Sequence, residues 1–134
     1  MFDTLDISAS ALTAQRVRLD TIAGNVANAH TTRDASGRVN PYRRRFAVLA
    51  SGAANDPSRP GVHVKAVKQD PSPFRQVFDP GNADADTQGF VHYPNVDLAI
   101  EYVNALEASR AYEANITTME VTKSMINATM RLLA

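Results

Sequence analysis

Apolar and polar positions divide this chain into two long helical stretches around an irregular middle. Over residues 95–134, apolar or semi-apolar side chains return every seven positions, at Leu98, Ala105, Tyr112, Met119, Ile126 and Leu133. A second row (Tyr102, Ser109, Ile116, Lys123 and Met130) lies between them at alternating spacings of three and four. Such an a/d pattern predicts one long helix lying against partner helices. The stretch has no proline or glycine and holds all the glutamates, Glu101, Glu107, Glu113 and Glu120, residues that tolerate a helix interior. Asn95 after Pro94 is the expected N-cap, with Asp97 in the first turn where a negative charge suits the helix dipole. Fully helical, the stretch is roughly 57 Å long. A 134-residue globule is much shorter across, about 30 Å, so the helix projects and needs a partner.

The first flank repeats the theme. Leu5, Leu12, Leu19 and Val26 recur every seven residues, with Ala9, Ile22 and Ala29 filling the same stripe and Asp6, Thr13, Arg16 and Asp20 on the other face. A helix is predicted over 4–29, capped by Asp3 and ending at the His30-Thr31-Thr32 cluster. Gly24 costs up to about 1 kcal/mol against alanine in a helix; its small size lets a neighbouring backbone come close.

All seven prolines and five of the six glycines fall between Gly37 and Pro94. Residues 42–50 and 62–67 read as strands, joined by the turn-rich SGAANDPSRPG, so a β-hairpin with a loose tip is expected. A two-stranded ribbon is marginal alone and leans on a neighbour. DPSPFRQVFDPG favours extended backbone. NADADTQG makes turns, and Phe90–Tyr93 leads extended into the long helix. The expected fold is mainly α with a small β part. Its segments are an N-terminal helix (1–30), a β-hairpin and extended insert (31–94) and a C-terminal helix (95–134).

Composition narrows the chemistry. Net charge is zero, which gives no global electrostatic case for nucleic acid or an anionic membrane. With no cysteine there are no disulfides, thiolate metal sites or cysteine nucleophiles. No run of eighteen apolar residues is present to span a bilayer. The start, Met-Phe-Asp-Thr, lacks a basic n-region and an apolar h-region, which predicts no cleaved secretory signal. His30, His63 and His92 have no ligand spacing. Asp79, Asp84 and Asp86 with Asn82 and Gly89 loosely suggest Ca²⁺, but no EF-hand spacing or bidentate glutamate accompanies them, and turn chemistry is the default reading. Arg43-Arg44-Arg45 is the one charge cluster. It suits acidic partners such as a glutamate face better than phosphate, because alternate strand arginines face opposite sides. No nucleophile elbow, P-loop or dinucleotide fingerprint is present, so no enzyme and no cofactor is expected. Met119, Met125 and Met130 suit an adaptable surface or plain packing. Lys123 either snorkels from the helical stripe or pairs with another chain's carboxylate.

Two stretches carry a resemblance. SALTAQRVRLDTIAGNVANAHTT, with Asn25 and Asn28 in its N-x-A-N core, is similar to the N-terminal signature of flagellar rod, hook and hook-associated axial proteins. EASRAYEANITTMEVTKSM, with Ser109, Arg110, Tyr112 and Asn115, resembles their C-terminal signature. Within that family, PYRRRFAVL and DPSPFRQVFDPGNADADTQGFVHYPNV resemble the proximal rod branch, apart from Phe78 and Phe90 where tyrosines are expected. The resemblance implies a structural subunit, exported by the flagellar type III apparatus without signal cleavage, that polymerises into the rod crossing the periplasm. It implies terminal helices paired as an antiparallel coiled coil lining the channel. The implied partners are further copies of itself, the rod proteins FlgB, FlgF and FlgG, the MS-ring adaptor FliE and the rod cap FlgJ, with no nucleic acid.

The interface is expected on the stripes: Leu5, Leu12, Leu19, Ile22 and Val26 of the first helix, then Leu98, Tyr112, Ile116, Met119, Ile126, Met130 and Leu133 of the second. Two other readings stay open: a helical-hairpin adaptor that holds one partner helix, and a nucleic-acid binder resting on Arg43–Arg45 alone.

Overall fold

A computed structural model describes residues 2–56 and 58–133, with side chains for 3–56 and 58–132. Two helices flank two hairpins: α1 (Phe2–Ala27), β1 (Arg45–Ser51), β2 (Val62–Gln69), β3 (Arg75–Phe78), β4 (Phe90–Tyr93) and α2 (Leu98–Leu133). The helices run antiparallel. Asn25 meets Glu101 and, farther down, Arg18 meets Glu107, so α1 descends as α2 ascends.

The helix ends differ from expectation. α1 starts at Phe2, which puts Asp3 in its first turn instead of at the cap. It stops at Ala27, two residues early, because Asn28 folds its Nδ2 back onto the Gly24 carbonyl at 2.8 Å and accepts from Thr31 Oγ1. The cap of α2 is Asp97, not Asn95. Its Oδ1 accepts the N–H of Ala99 at 2.9 Å and of Ile100 at 3.3 Å, satisfying two orphan donors of the first turn. Gly24 faces only the Tyr42 hydroxyl, 3.8 Å from where a Cβ stands, so no backbone makes the close approach expected there.

β1 and β2 pair antiparallel, with a bulge at Val48/Leu49 that leaves Lys65 without an opposite residue. The first strand begins at Arg45, not Tyr42, because the N–H groups of Tyr42 and Arg44 bond elsewhere, to Thr31 O and Asn95 Oδ1. The hairpin lies along α1 and its tip is pinned there: Ser10 Oγ accepts from Val62 N at 3.1 Å. Gly61, at φ +148, lies so close that a Cβ would sit 3.1 Å from the same oxygen. The ribbon thus has the neighbour it needs.

The second hairpin, β3–β4, was not legible as a pair. The long turn 79–89 closes it, with Asp86 Oδ1 accepting from both Gln88 N and Phe90 N at 2.9 Å. Asp84 ties this turn to the 31–41 loop through Thr32 Oγ1 (2.6 Å) and Arg33. The loop aspartates therefore act as turn formers and anchors.

The core is thin. Ala14, Ile22, Ala29, Val91 and Ala108 are its buried apolar residues, joined by the buried polar Ser8, Asn25, Glu101 and Thr122. α1 lies between α2 on one side and the β1–β2 hairpin on the other.

Candidate assembly interface

A polar junction locks the three layers where α1 ends and α2 begins. Asn25 is 1% exposed and uses its whole amide. Its Nδ2 donates to Arg45 O at 2.7 Å and Glu101 Oε2 at 3.0 Å, and its Oδ1 accepts from Arg45 N at 2.9 Å and Tyr42 Oη at 3.1 Å. Glu101, fully buried in the first turn of α2, receives Arg44 Nε on Oε1 at 2.6 Å. Arg44 also reaches Asp70 Oδ2 at 3.4 Å. Arg43 donates to the carbonyls of Asp70 and Ser72 at 2.9 Å each, its guanidinium 4.3 Å over the Phe74 ring. Asn95, displaced from the expected cap, donates to the same two carbonyls and accepts from Arg44 N. Hydrogen bonds from the Ser72 hydroxyl and N–H hold the Asp70 carboxyl below its ordinary range, against a partial burial penalty and with help from Arg44.

The arginine cluster does pair with a glutamate, but with one of the same chain. Asn25 belongs to the stretch expected to be a signature. Arg44 was expected to meet an acidic surface, Asn95 to cap α2 and Glu101 to be an ordinary helix glutamate, while Tyr42 and Asp70 carried no individual expectation. The available signal was Glu101 itself, at a three-to-four spacing from the Leu98/Ala105 row.

The face that α2 turns to α1 pairs the Leu98, Ala105, Tyr112, Met119, Ile126 row with Glu101, Ala108, Asn115 and Thr122. Glu101, Ala108 and Thr122 are buried, and the other residues named are half-buried. The expected second row points elsewhere: Tyr102 is 63% exposed, Met130 57%, Ile116 37%, and Lys123 is exposed, while Ser109 is half-buried. Apolarity misled because the buried row is largely polar but hydrogen-bonded, Glu101 by Arg44 and Asn25 from outside the helix. Asn115 Nδ2 and Thr122 Oγ1 each bond the carbonyl four residues back at 2.8 Å, and Ala108 is small enough for close helix approach. On α1, Leu5, Leu12, Leu19 and Val26 are half-buried, Ile22 is buried and Ala9 is exposed. Of the expected signature residues, Ser109 and Tyr112 are half-buried and Arg110 is exposed. The side chain of Leu133 lies outside the described residues.

α1 does not cover all of α2. Carrying the Asn25–Glu101 and Arg18–Glu107 register along the pair sets the start of α1 opposite about residue 123. Beyond that point, residues 123–132 are exposed apart from half-buried Ile126. This overhang and the outer face of α2 are the unpartnered apolar surfaces of the helix pair. A separate open cleft of about 590 Å³ sits at the root of α2, lined by His30, Pro73, Arg75, Pro94 and Leu98 among others.

Residues 5–33 match the family described as Flagella basal body rod protein, and residues 87–132 that described as Flagellar basal body rod FlgEFG protein C-terminal. The chain is 41% identical over 141 residues to flagellar basal-body rod protein FlgC of Bacillus subtilis, covering 93% of each. It is 41% identical over 132 residues to FlgC of Yersinia enterocolitica, covering 98% of this chain and 97% of that one. To FlgC of Borreliella burgdorferi it is 36% identical over 150 residues, covering 99% and 97%. The paired terminal helices, the insert and both end motifs thus lie within one end-to-end similarity, and the chain belongs to the FlgC family of flagellar basal-body rod proteins.

Proposed function

We propose that this chain is a structural, non-enzymatic subunit of the flagellar basal-body rod. It polymerises through its terminal helices into a shaft that transmits torque and encloses the export channel. The observation that carries this reading is the unequal pairing of α1 and α2. A fold that leaves Met125, Met130 and Leu132 between 57% and 88% exposed needs a further helix to cover them. Covering one such side chain is worth roughly 1.5–3 kcal/mol, so several per contact hold subunits together under load.

In this reading residues 1–30 and 95–134 form an inner unit, and residues 31–94 form an insert riding on it. The stripe residues Leu5, Leu12, Leu19, Ile22, Val26, Leu98, Tyr112, Ile116, Met119, Ile126, Met130 and Leu133 take part in helix contacts within and between subunits. Asn25, Asn28, Ser109, Arg110, Tyr112 and Asn115 serve as the signature positions. The neighbours are copies of itself, FlgB, FlgF, FlgG, the adaptor FliE and the cap FlgJ. Delivery is by the flagellar type III apparatus to a rod that crosses the periplasm. Among the described residues no helix is long and apolar enough to cross a membrane.

The test is assembly. The purified chain, mixed with sibling rod proteins, should sediment as polymer while its helical circular dichroism rises. A stable helical monomer that never assembles supports the adaptor reading instead.

A further inference from the structure

Arg44 turns to Glu101, but the arginines on either side of it line a separate cleft of about 550 Å³, between the 31–41 loop and the root of the β1–β2 hairpin. Both guanidiniums are held on aromatic rings: Arg43 lies 4.3 Å over Phe74 and Arg45 5.7 Å over Tyr42. Arg43 uses only Nη1, on the carbonyls of Asp70 and Ser72. The Arg45 side chain is exposed and donates no hydrogen bond among the described residues, and no carboxylate there lies within ion-pair distance of either arginine. The one carboxylate that lines the cleft, Asp34, is already taken. Its Oδ1 accepts from Ser36 N and Arg38 N, and its Oδ2 meets the Arg38 guanidinium. The side-chain amides of Asn40 and Gln69, also in the lining, are exposed and unbonded among the described residues.

We propose that this cleft binds an extended segment of another protein carrying two carboxylates two residues apart, one for each guanidinium. Arg43 and Arg45 are themselves two positions apart on extended backbone, roughly 6.6 Å between Cα atoms, which matches that spacing. Their free N–H groups form charge-assisted bonds to carboxylates, and the aromatic rings hold them in place beforehand. Asn40 and Gln69 supply amide donors and acceptors for the segment's backbone. A second copy of this chain is a poor occupant. Its one Asp-x-Asp stretch, Asp84 to Asp86, already uses both carboxylates, Asp84 on Thr32 and Arg33, and Asp86 on Gln88 N, Phe90 N and His92. A nucleic acid needs a longer basic track than two arginines beside Asp34, on a chain whose net charge is zero. The site lies on the insert, away from the overhang of α2, and needs no polymer to fill it.

The full chain, isotope-labelled and unassembled, is titrated with the peptide acetyl-Ser-Glu-Ala-Glu-Ala-Ser-amide at low ionic strength while its arginine Nε–H resonances are followed by NMR. The Arg43 and Arg45 resonances should shift and saturate, those of Arg38 and Arg59 should stay, and the peptide with glutamine for both glutamates should shift none. Arg45→Gln breaks no hydrogen bond of the fold, so it should weaken binding about tenfold or more while the urea midpoint is unchanged. Lys68 lies opposite Phe46, next to the Arg45–Gln69 pair, and so on the other face of the hairpin. Lys68→Gln removes the same charge there and should weaken binding by less than about twofold. Equal losses in the two variants, no shift of Arg45 with the glutamate peptide, or equal binding of the glutamine peptide overturns the proposal. A single-stranded oligonucleotide that binds more tightly than the peptide through the same arginines overturns it in favour of a nucleic acid. None of these outcomes bears on polymerisation, which is read by sedimentation.

Discussion

Asn25 donates from Nδ2 to Glu101 Oε2 at 3.0 Å, and both side chains are excluded from solvent. This bond joins the end of α1 to the start of α2, and the same amide bonds both backbone groups of Arg45. A strand is thus docked on a helix by a side chain that imitates a strand neighbour. The antiparallel helix pair and the insert are fastened at one point, with Arg44 supplying the positive charge that Glu101 requires once it leaves water.

Arg44→Ala should therefore cost about 3 kcal/mol or more, because it strands a buried carboxylate. Arg44→Met combined with Glu101→Leu should cost less than either single change, since no charge is left unpaired. Urea unfolding of the four chains in a double-mutant cycle measures this. A double variant as unstable as the sum of the singles removes the junction from the stability account.

Asn25→Ala leaves the N–H of Arg45 and the hydroxyl of Tyr42 without their partner, at a cost of about 2 kcal/mol. Amide exchange at Arg45 should accelerate more than exchange in the middle of β1, which distinguishes local undocking from general destabilisation.

The helix–insert–helix order and the first hairpin were legible because period-seven stripes and proline-glycine punctuation are local signals. Three features were not. The β3–β4 pairing depends on Asp86 folding a long turn back on itself, and its strands are only four residues long. The Asp97 cap competed with Asn95, an equally good capping residue whose side chain is drawn instead to the Asp70 and Ser72 carbonyls. The buried row of α2 was concealed because hydrophobic periodicity cannot recognise a polar residue whose partner lies 57 positions away, as Arg44 does from Glu101.

Two glycines should respond in opposite directions. Gly24→Ala meets only the Tyr42 hydroxyl at 3.8 Å and removes a helix-interior glycine, so stability should rise by up to about 1 kcal/mol. Gly61→Ala forces a Cβ to 3.1 Å from Ser10 Oγ at φ +148, so stability should fall by about 1–3 kcal/mol and the hairpin tip should lift from α1. Thermal unfolding of the two variants beside the parent gives both signs.

Acid should loosen the junction through Asp70. Its pKa is lowered in the folded chain from an ordinary 3.8, first by the Ser72 hydroxyl and then by the Ser72 N–H. A depressed carboxyl contributes stability that is complete above the unfolded value and is lost as pH falls through the folded one. Stability should therefore hold from neutral pH down to about 5 and decline below about 4. Asp70→Asn should be less stable at neutral pH and lose less on acidification. Matching pH slopes for parent and variant would assign the decline to Asp56, Asp84 and Asp86, whose pKa values are also lowered.

Leu12 and Ile126 separate folding from assembly. Leu12 is half-buried in the middle of α1, where the helix is flanked by both α2 and the hairpin. Leu12→Asp places a charge there, and should cost about 2–4 kcal/mol of monomer stability and stop assembly as a consequence. Ile126 lies just past the start of α1, in the overhang. Ile126→Asp should change monomer unfolding by less than about 1 kcal/mol yet still stop assembly, if the overhang is the surface through which subunits meet, as proposed above. The check is the urea midpoint of each monomer set against its sedimenting fraction. An Ile126→Asp chain that polymerises like the parent excludes the overhang from the contact. One that unfolds as readily as Leu12→Asp makes Ile126 part of the chain's own core.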